Sequence, residues 1–381
     1  MPNRVSIGQL LEQLENEGFV LEEETQAWEQ KKFADSNPWF IQGLMGCGGW
    51  IAAVFFLGFS SLCITSIFAA FDEQSFGWLS LILGLIFAGG TTLAKRHNSK
   101  SGVFASQLLL AIHVAGHFLI IGGIFTAFEL WNHDGVVTIT SLIVIIVELI
   151  FLFLYPDAIL RFIATGTIIT ALNVLVFEWG IIGSLSLFTG LLAVSATIIW
   201  ADLLRPQTQI RYFSLLQPIG YAIVFGIFGT ITHEVSVHYG IYLEFDREML
   251  YQPVLTSILL LILLLWAEIR LLQDYNVSIR SNYALAIMGL SVIVTIPTMT
   301  TPGIVAGILM IVLAFRRSNW ILLGIAYLFF AGFIVEYYYS LQVTLLTKSI
   351  ILMITGVLLI LGRLFMRRIV TIPDASEGGA A

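Results

Sequence analysis

The sequence predicts an all-α fold: a polytopic transmembrane helical bundle of about twelve spans, with both termini on the cytoplasmic side. Hydrophobic residues make up 58% of the 381 residues and charged residues only 11%, a balance that a water-soluble chain cannot bury. The apolar runs are continuous, as in residues 255–266, and do not alternate like the strands of a membrane barrel. Lysine and arginine recur at the ends of alternate runs, which is typical of a repeatedly crossing helical protein.

Three regions are predicted along the chain: a cytoplasmic helical hairpin over residues 1–38, a transmembrane helical domain over 39–370 and a disordered tail over 371–381. In the first region, Ser6 and Gln9 fit a capping box, in which each side chain bonds the backbone N–H of the other residue at the start of a helix. The hairpin is polar and acidic, so we expect it to lie at the membrane face without a site of its own.

Twelve apolar segments account for the transmembrane domain. Two of them, 283–297 and 303–315, are short, since about fifteen residues of helix reach only about 22 Å of a hydrocarbon core of about 30 Å. This pair is therefore either two complete crossings or a re-entrant hairpin that returns to the cytoplasmic side. The predicted spans are 41–70, 76–94, 103–128, 136–155, 159–177, 181–200, 212–232, 254–269, 283–297, 303–315, 320–335 and 343–365.

The distribution of lysine and arginine predicts the orientation of the bundle. With the N-terminus in the cytoplasm, sixteen of these residues lie on the cytoplasmic side, Arg247 alone lies outside, and Lys348 lies within the last span. A single missed span would reverse every later connection, so this asymmetry favours the predicted order of spans with both termini inside. It does not distinguish two full crossings by 283–297 and 303–315 from a re-entrant hairpin, because both ends of the pair are cytoplasmic in either case. The cytoplasmic set is Arg4, Lys31, Lys32, Lys95, Arg96, Lys100, Arg161, Arg205, Arg211, Arg270, Arg280, Arg316, Arg317, Arg363, Arg367 and Arg368.

Ionisable side chains within the spans are candidate functional residues, because burying a charge in lipid is costly. Glu148 lies in the fourth predicted span, and His113 and His117 lie four residues apart on one face of the third. If these spans are antiparallel neighbours, the three side chains could meet at one depth and exchange protons. The alternative is a protonated, hydrogen-bonded Glu148 and two histidines that only pack in the interior. Neither a metal site nor a cofactor is predicted.

Two further patterns predict contacts between helices. Asn173 and Gln107 are neutral polar residues within spans, and we expect each to form an interhelical hydrogen bond. Gly303 and Gly307 have the spacing that lets two helices approach closely. Both patterns are common in membrane proteins and indicate packing without indicating an activity.

One connection predicted outside the membrane, residues 233–252, is long and acidic. It is either a solvated loop or a docking surface for a partner or a cation, and Glu336, at the outer end of the eleventh span, is a further candidate for that surface. Lys348 lies about five residues inside the last span, where it can extend its ammonium group to the interface or pair with Glu336. The acidic residues of the loop are Glu234, Glu244, Asp246 and Glu248.

Four short motifs resemble a known family: SNPWF at 36–40, GGWIAA at 48–53, EYYY at 336–339 and LLTKS at 345–349. With them the chain resembles the bacterial membrane proteins catalogued as domain of unknown function 4401, and its N-terminal hairpin resembles the related family numbered 2157. The resemblance implies a multi-pass protein of the bacterial inner (plasma) membrane without an established activity or catalytic residues. Members are often encoded beside a small membrane-anchored protein named for its GDYXXLXY motif, which implies a partner of that type.

Two functions stay open at this stage. The first is a scaffold or subunit that acts with a small membrane-anchored partner, and the second is a proton-coupled secondary transporter that uses the Glu148 and histidine cluster. The first is preferred because the predicted spans contain few polar groups. No Walker loop, nucleophile elbow or zinc-protease motif occurs, so no enzyme is predicted. A net charge of −7 without a long basic run predicts no nucleic-acid partner.

Overall fold

The computed structural model describes most of the predicted transmembrane domain. Its described residues are 39–68, 72–97, 102–129, 135–155, 157–180, 183–201, 206–238 and 252–340, with positions 346, 349, 350, 353, 357 and 360. The predicted hairpin of residues 1–38 and the predicted tail of residues 371–381 lie outside them.

The described ranges contain helices and no strand, which confirms the all-α class. In chain order the helices are α1 (Trp39–Phe68), α2 (Glu73–His97), α3 (Val103–Ala127), α4 (Val136–Leu154), α5 (Ala158–Glu178), α6 (Ser184–Trp200), α7 (Pro206–His238), α8 (Gln252–Asp274), α9 (Asn282–Thr295), α10 (Pro302–Arg316) and α11 (Trp320–Ser340). Eight of them are long and apolar enough to cross a membrane, and the described part of the chain adds three shorter apolar helices, α6, α9 and α10.

The chain divides into two compact units, and the first contains α1, α2 and α3 together with residues 154–156. Glycines let the backbones of α2 and α3 approach each other. A Cβ atom on Gly123 would lie 2.5 Å from the backbone nitrogen of Leu81, and one on Gly84 would lie 2.7 Å from that of Ile120. No side chain fits at either position without moving a backbone, so the pair depends on both glycines.

The predicted hydrogen bond of Gln107 joins α1 to α3 in this unit. Trp50 lies on α1, and its Nε1–H donates to Gln107 Oε1 across 3.1 Å. The prediction of an interhelical bond at Gln107 is therefore confirmed.

The second unit contains α5 to α11 and most of α4, and α10 forms part of its core. Ten of the fifteen residues of α10 are buried. The predicted close approach at Gly303 and Gly307 is confirmed: a Cβ atom on Gly303 would overlap the ring of Phe333 on α11, and one on Gly307 would lie 2.9 Å from Cβ of Phe330.

The turn over residues 296–301 places α9 and α10 relative to the longer helices of the same unit. The Ser257 hydroxyl, near the start of α8, donates to the Met299 carbonyl across 2.8 Å. The Tyr337 hydroxyl, near the end of α11, donates to the Pro297 carbonyl across 3.2 Å. The turn therefore lies level with the start of α8 and the end of α11.

The opposite end of α10 lies level with the end of α8. Arg316, the last residue of α10, donates from Nε to Asp274 Oδ2 across 2.5 Å, and its Nη1 bonds the carbonyl of Ala201 after α6. Because Asp274 ends α8 and the turn contacts Ser257 near its start, α10 and the turn before it lie beside most of a helix long enough to cross a membrane.

Candidate functional site

The structure corrects the predicted position of Glu234. The sequence placed this residue in an exposed loop over 233–252, but it lies inside α7 and is 2% exposed. The helix continues past residue 232 because no glycine or proline interrupts the chain before Gly240. The docking surface predicted for the loop therefore loses Glu234, while Glu244, Asp246 and Glu248 lie outside the described residues.

The carboxylate of Glu234 joins three helices through hydroxyl groups. Its Oε1 accepts from the Ser186 hydroxyl on α6 across 2.8 Å. The Thr256 hydroxyl on α8 lies 2.7 Å from Oε1 and 2.8 Å from Oε2. Ser186 and Thr256 are both fully buried. Within the described part of the chain, hydroxyls are the partners of this carboxylate, so no bonded cation neutralises it.

The hydrogen bonds at Glu234 can be satisfied with or without a proton on the carboxyl group. The Ser186 Oγ lies 2.8 Å from Glu234 Oε1 and also 2.8 Å from the backbone carbonyl of Gln252. A hydroxyl has one hydrogen, so Ser186 donates to one of these oxygens at a time. When Glu234 is ionised, Ser186 and Thr256 can both donate to it. When Glu234 is protonated, Ser186 can donate to Gln252 and accept from the carboxyl group.

Helix polarity favours the ionised form at the same position. Ser186 is the third residue of α6 and Thr256 is the fifth residue of α8, so the carboxylate lies beside the N-terminal ends of two helices. These ends carry partial positive charge from unpaired backbone N–H groups. Burial opposes the charge on Glu234, and the helix ends and hydroxyls support it. The site is therefore suited to bind and release a proton.

A second polar group of α7 bonds the neighbouring helix α5. The Nδ1–H of His233 donates to Asn173 Oδ1 across 2.7 Å, which confirms the interhelical bond predicted for Asn173. His233, like Glu234, was predicted in the loop and lies in the helix. Thr230 is one turn earlier on α7 and accepts from the Thr189 hydroxyl of α6 across 3.0 Å. Thr230, His233 and Glu234 lie within four residues of each other, so the helix places them close together. This spacing was visible in the sequence and could have indicated the site.

The predicted histidine cluster lies in the first unit. His113 is fully buried, its Nδ1 lies 2.8 Å from the Thr91 hydroxyl of α2, and its ring centroid lies 4.3 Å from that of Tyr155. His117 is 3% exposed, and its ring centroid is 4.7 Å from that of His113. Glu148 is 4% exposed on α4, within the second unit. The meeting of Glu148 with the two histidines stays a prediction.

A further buried carboxylate was not singled out from the sequence. Glu268 lies on α8, is 3% exposed and accepts from the Ser291 hydroxyl of α9 across 2.5 Å. The predicted span ended at residue 269, which made Glu268 a terminal residue. The helix continues to Asp274, because no breaking residue follows Glu268 before that position.

Of the remaining predicted site residues, the structure describes one and not the other. Glu336 lies in α11 and is half-buried, while the side chain of Lys348 is outside the described residues. Among the residues that the structure describes, no three His, Cys, Asp or Glu side chains group in a way that could hold a metal ion.

Comparison with known proteins agrees with the resemblance of the four motifs. Neither a curated protein nor a solved structure matches the chain. The family model described as Domain of unknown function (DUF4401) matches residues 38–369. That range contains every described helix and leaves out residues 1–37 and 370–381. Together with eight helices that could cross a membrane, the match indicates a multi-pass membrane protein. The chain therefore belongs to the DUF4401 family.

Proposed function

We propose that this chain is a proton-coupled secondary transporter in which Glu234 binds the coupling proton. The observation that supports the proposal is a buried carboxylate held by hydroxyls of two neighbouring helices. A proton on Glu234 removes its charge and reverses the hydrogen bond to Ser186. Because these bonds connect α6, α7 and α8, protonation changes the hydrogen bonds between the three helices. Such a link between a proton and helix packing is what coupled transport requires.

The proposed topology has twelve crossings, both termini in the cytoplasm, and the bacterial inner membrane as its location. The asymmetry of lysine and arginine supports the orientation. The position of α10 and its preceding turn beside most of α8, from Ser257 to Asp274, supports full crossings over a shallow re-entrant hairpin. In this topology Glu234 lies four residues before the outer end of α7, or about 6 Å along the helix. The proton would then enter from the outer side.

The buried polar groups change the balance between the two functions considered from the sequence. A scaffold was preferred because few polar residues fell within the predicted spans. Glu234, His233 and Glu268 all lie within helices, and both carboxylates are buried. Buried ionisable groups in membrane helices are costly, and transport of protons is a common reason for them.

The scaffold function keeps a separate prediction. Its docking surface would now consist of Glu244, Asp246, Glu248 and Glu336, without Glu234. If the chain works with a small membrane-anchored protein of the GDYXXLXY type, affinity purification of the tagged chain from mild detergent should recover that protein in equal amounts. A purified chain without such a companion would contradict the scaffold function.

Carbodiimide labelling tests proton binding at Glu234 without knowledge of the substrate. Dicyclohexylcarbodiimide reacts with protonated carboxyl groups in apolar surroundings. We expect an adduct on the peptide that contains Glu234, with a yield that falls as the pH rises, because only the protonated form reacts. In right-side-out membrane vesicles, the yield should follow the pH of the outer solution. Mass spectrometry of the digested protein measures both quantities.

The control is the variant Glu234→Gln, which keeps the shape of the side chain and removes its proton exchange. This variant should lose the adduct at position 234 and keep any adduct at Glu268, which shows that the reagent still reaches the helices. Absence of an adduct at Glu234 in the natural chain, or a yield that does not change with pH, would argue against a proton site there.

A further inference from the structure

A cavity of about 720 Å³ lies between α5 and α7 in the second unit. It extends from Phe162 to Val174 along α5, twelve residues or about 18 Å of helix. Glycines of both helices provide part of its depth: a Cβ atom on Gly166 or Gly229 would meet no atom within 4 Å. Its volume is in the range of sites that bind small molecules, about 300–1,000 Å³.

The polar side chains of the cavity other than threonine lie at one end. Asn173 and His233 line it near the ends of α5 and α7, while Phe162 and Ile163 line the opposite end. The hydroxyls of Thr167 and other lining threonines bond carbonyls within their own helices, so they are already satisfied. The cavity therefore has a polar end and an apolar end, separated along the direction of the helices.

At the polar end, the Nδ2 amide group of Asn173 is a hydrogen-bond donor without an acceptor among the described residues. The residue is 8% exposed, its Oδ1 accepts from His233, and its buried Nδ2 meets no acceptor among the described residues. An unsatisfied buried amide donor costs about 1–3 kcal/mol, so an oxygen acceptor from a ligand would be stabilising. The described residues that line the cavity include no lysine, arginine, aspartate or glutamate, which disfavours a charged head group.

We propose that this cavity binds a neutral amphiphile: a hydrocarbon chain with an uncharged carbonyl oxygen, such as an ester or a ketone, that accepts from Asn173. Val174 and Phe225 on the wall of the cavity are 36% and 41% exposed, so the ligand enters from the lipid side and lies parallel to the lipid chains. This inference goes beyond the proton site and does not depend on it, because Glu234 does not line the cavity.

Photolabelling of the full chain in detergent tests the proposal. The probe is the methyl ester of a long-chain fatty acid with a diazirine in its chain, and labelled peptides are mapped by mass spectrometry. We expect saturable labelling of peptides from α5 and α7. The unlabelled ester should compete, and the alkane of equal length should compete about tenfold less well, since it lacks the acceptor for Asn173.

Two variants and a matched control complete the experiment. Gly229→Leu fills the cavity and should reduce the saturable labelling at least about tenfold. Gly289→Leu on α9, where a Cβ atom also meets nothing within 4 Å, should leave it unchanged. Asn173→Leu should remove the preference for the ester over the alkane. Labelling that is unsaturable, unaffected by Gly229→Leu or equally displaced by the alkane would overturn the proposal and indicate ordinary lipid contact.

Discussion

The substitution Gly123→Leu is expected to lower the free energy of unfolding by about 3 kcal/mol. A side chain at this position meets the backbone of α2, because the added Cβ would lie 2.5 Å from the nitrogen and 2.8 Å from the Cα of Leu81. Backbone atoms cannot turn aside as a flexible side chain can. The two helices must therefore separate and lose their packing, which is the main force that holds helices together in lipid.

The neighbouring position supplies the control for this prediction. Gly122→Leu makes the same chemical change on the same helix, but a Cβ atom there meets nothing within 4 Å. Leucine forms helices better than glycine by somewhat less than the roughly 0.8–1 kcal/mol that separates alanine from glycine, so this variant should be neutral or slightly stabilising. Thermal unfolding in detergent, followed by tryptophan fluorescence, measures both variants. Equal stability of the two would mean that α2 and α3 do not pack as described.

The helices could be predicted from the sequence because continuous apolar runs have few alternatives in a membrane. The short segments 283–297 and 303–315 show the limit of that inference. Their length left a re-entrant hairpin open, and hydropathy contains no information on what the turn between them contacts. The bonds from Ser257 and Tyr337 to that turn connect residues about forty positions apart in the chain, and no local pattern predicts such partners.

The candidate site was missed for a related reason. A hydropathy window ends a span where charged residues begin, so His233 and Glu234 were assigned to a loop. The helix continues through both residues, since its backbone bonds do not depend on side-chain polarity and its side chains find partners on α5, α6 and α8. Glu148, His113 and His117 were correctly placed within helices by the same method. Whether a carboxylate in a span has hydroxyl partners depends on the packing of other helices, which one sequence does not reveal.

Thr256→Val is expected to lower the free energy of unfolding by about 2 kcal/mol in the natural chain. In a chain that already carries Glu234→Met, the same substitution should have no such effect. In the natural chain the substitution removes a hydroxyl that lies within 2.8 Å of both oxygens of a buried carboxylate. When position 234 no longer holds a carboxyl group, the hydroxyl has lost this acceptor and valine fits the buried site at least as well. The coupling between the two substitutions should therefore be about 2 kcal/mol, well above the error of additive sites.

Thr140→Val is the matched control for this cycle, because among the described residues the Thr140 hydroxyl bonds the Val136 carbonyl of its own helix, across 2.6 Å, and no carboxylate. Its effect should add to that of Glu234→Met without coupling. Unfolding of the four combinations in mixed micelles provides the measurement. If Thr256→Val and Glu234→Met were also additive, the hydroxyl would contribute only packing, and the carboxylate would not hold α8 to α7. A clear coupling would instead show that the bonds to Glu234 contribute to helix packing. A proton can move the helices only if the bonds that it alters make such a contribution.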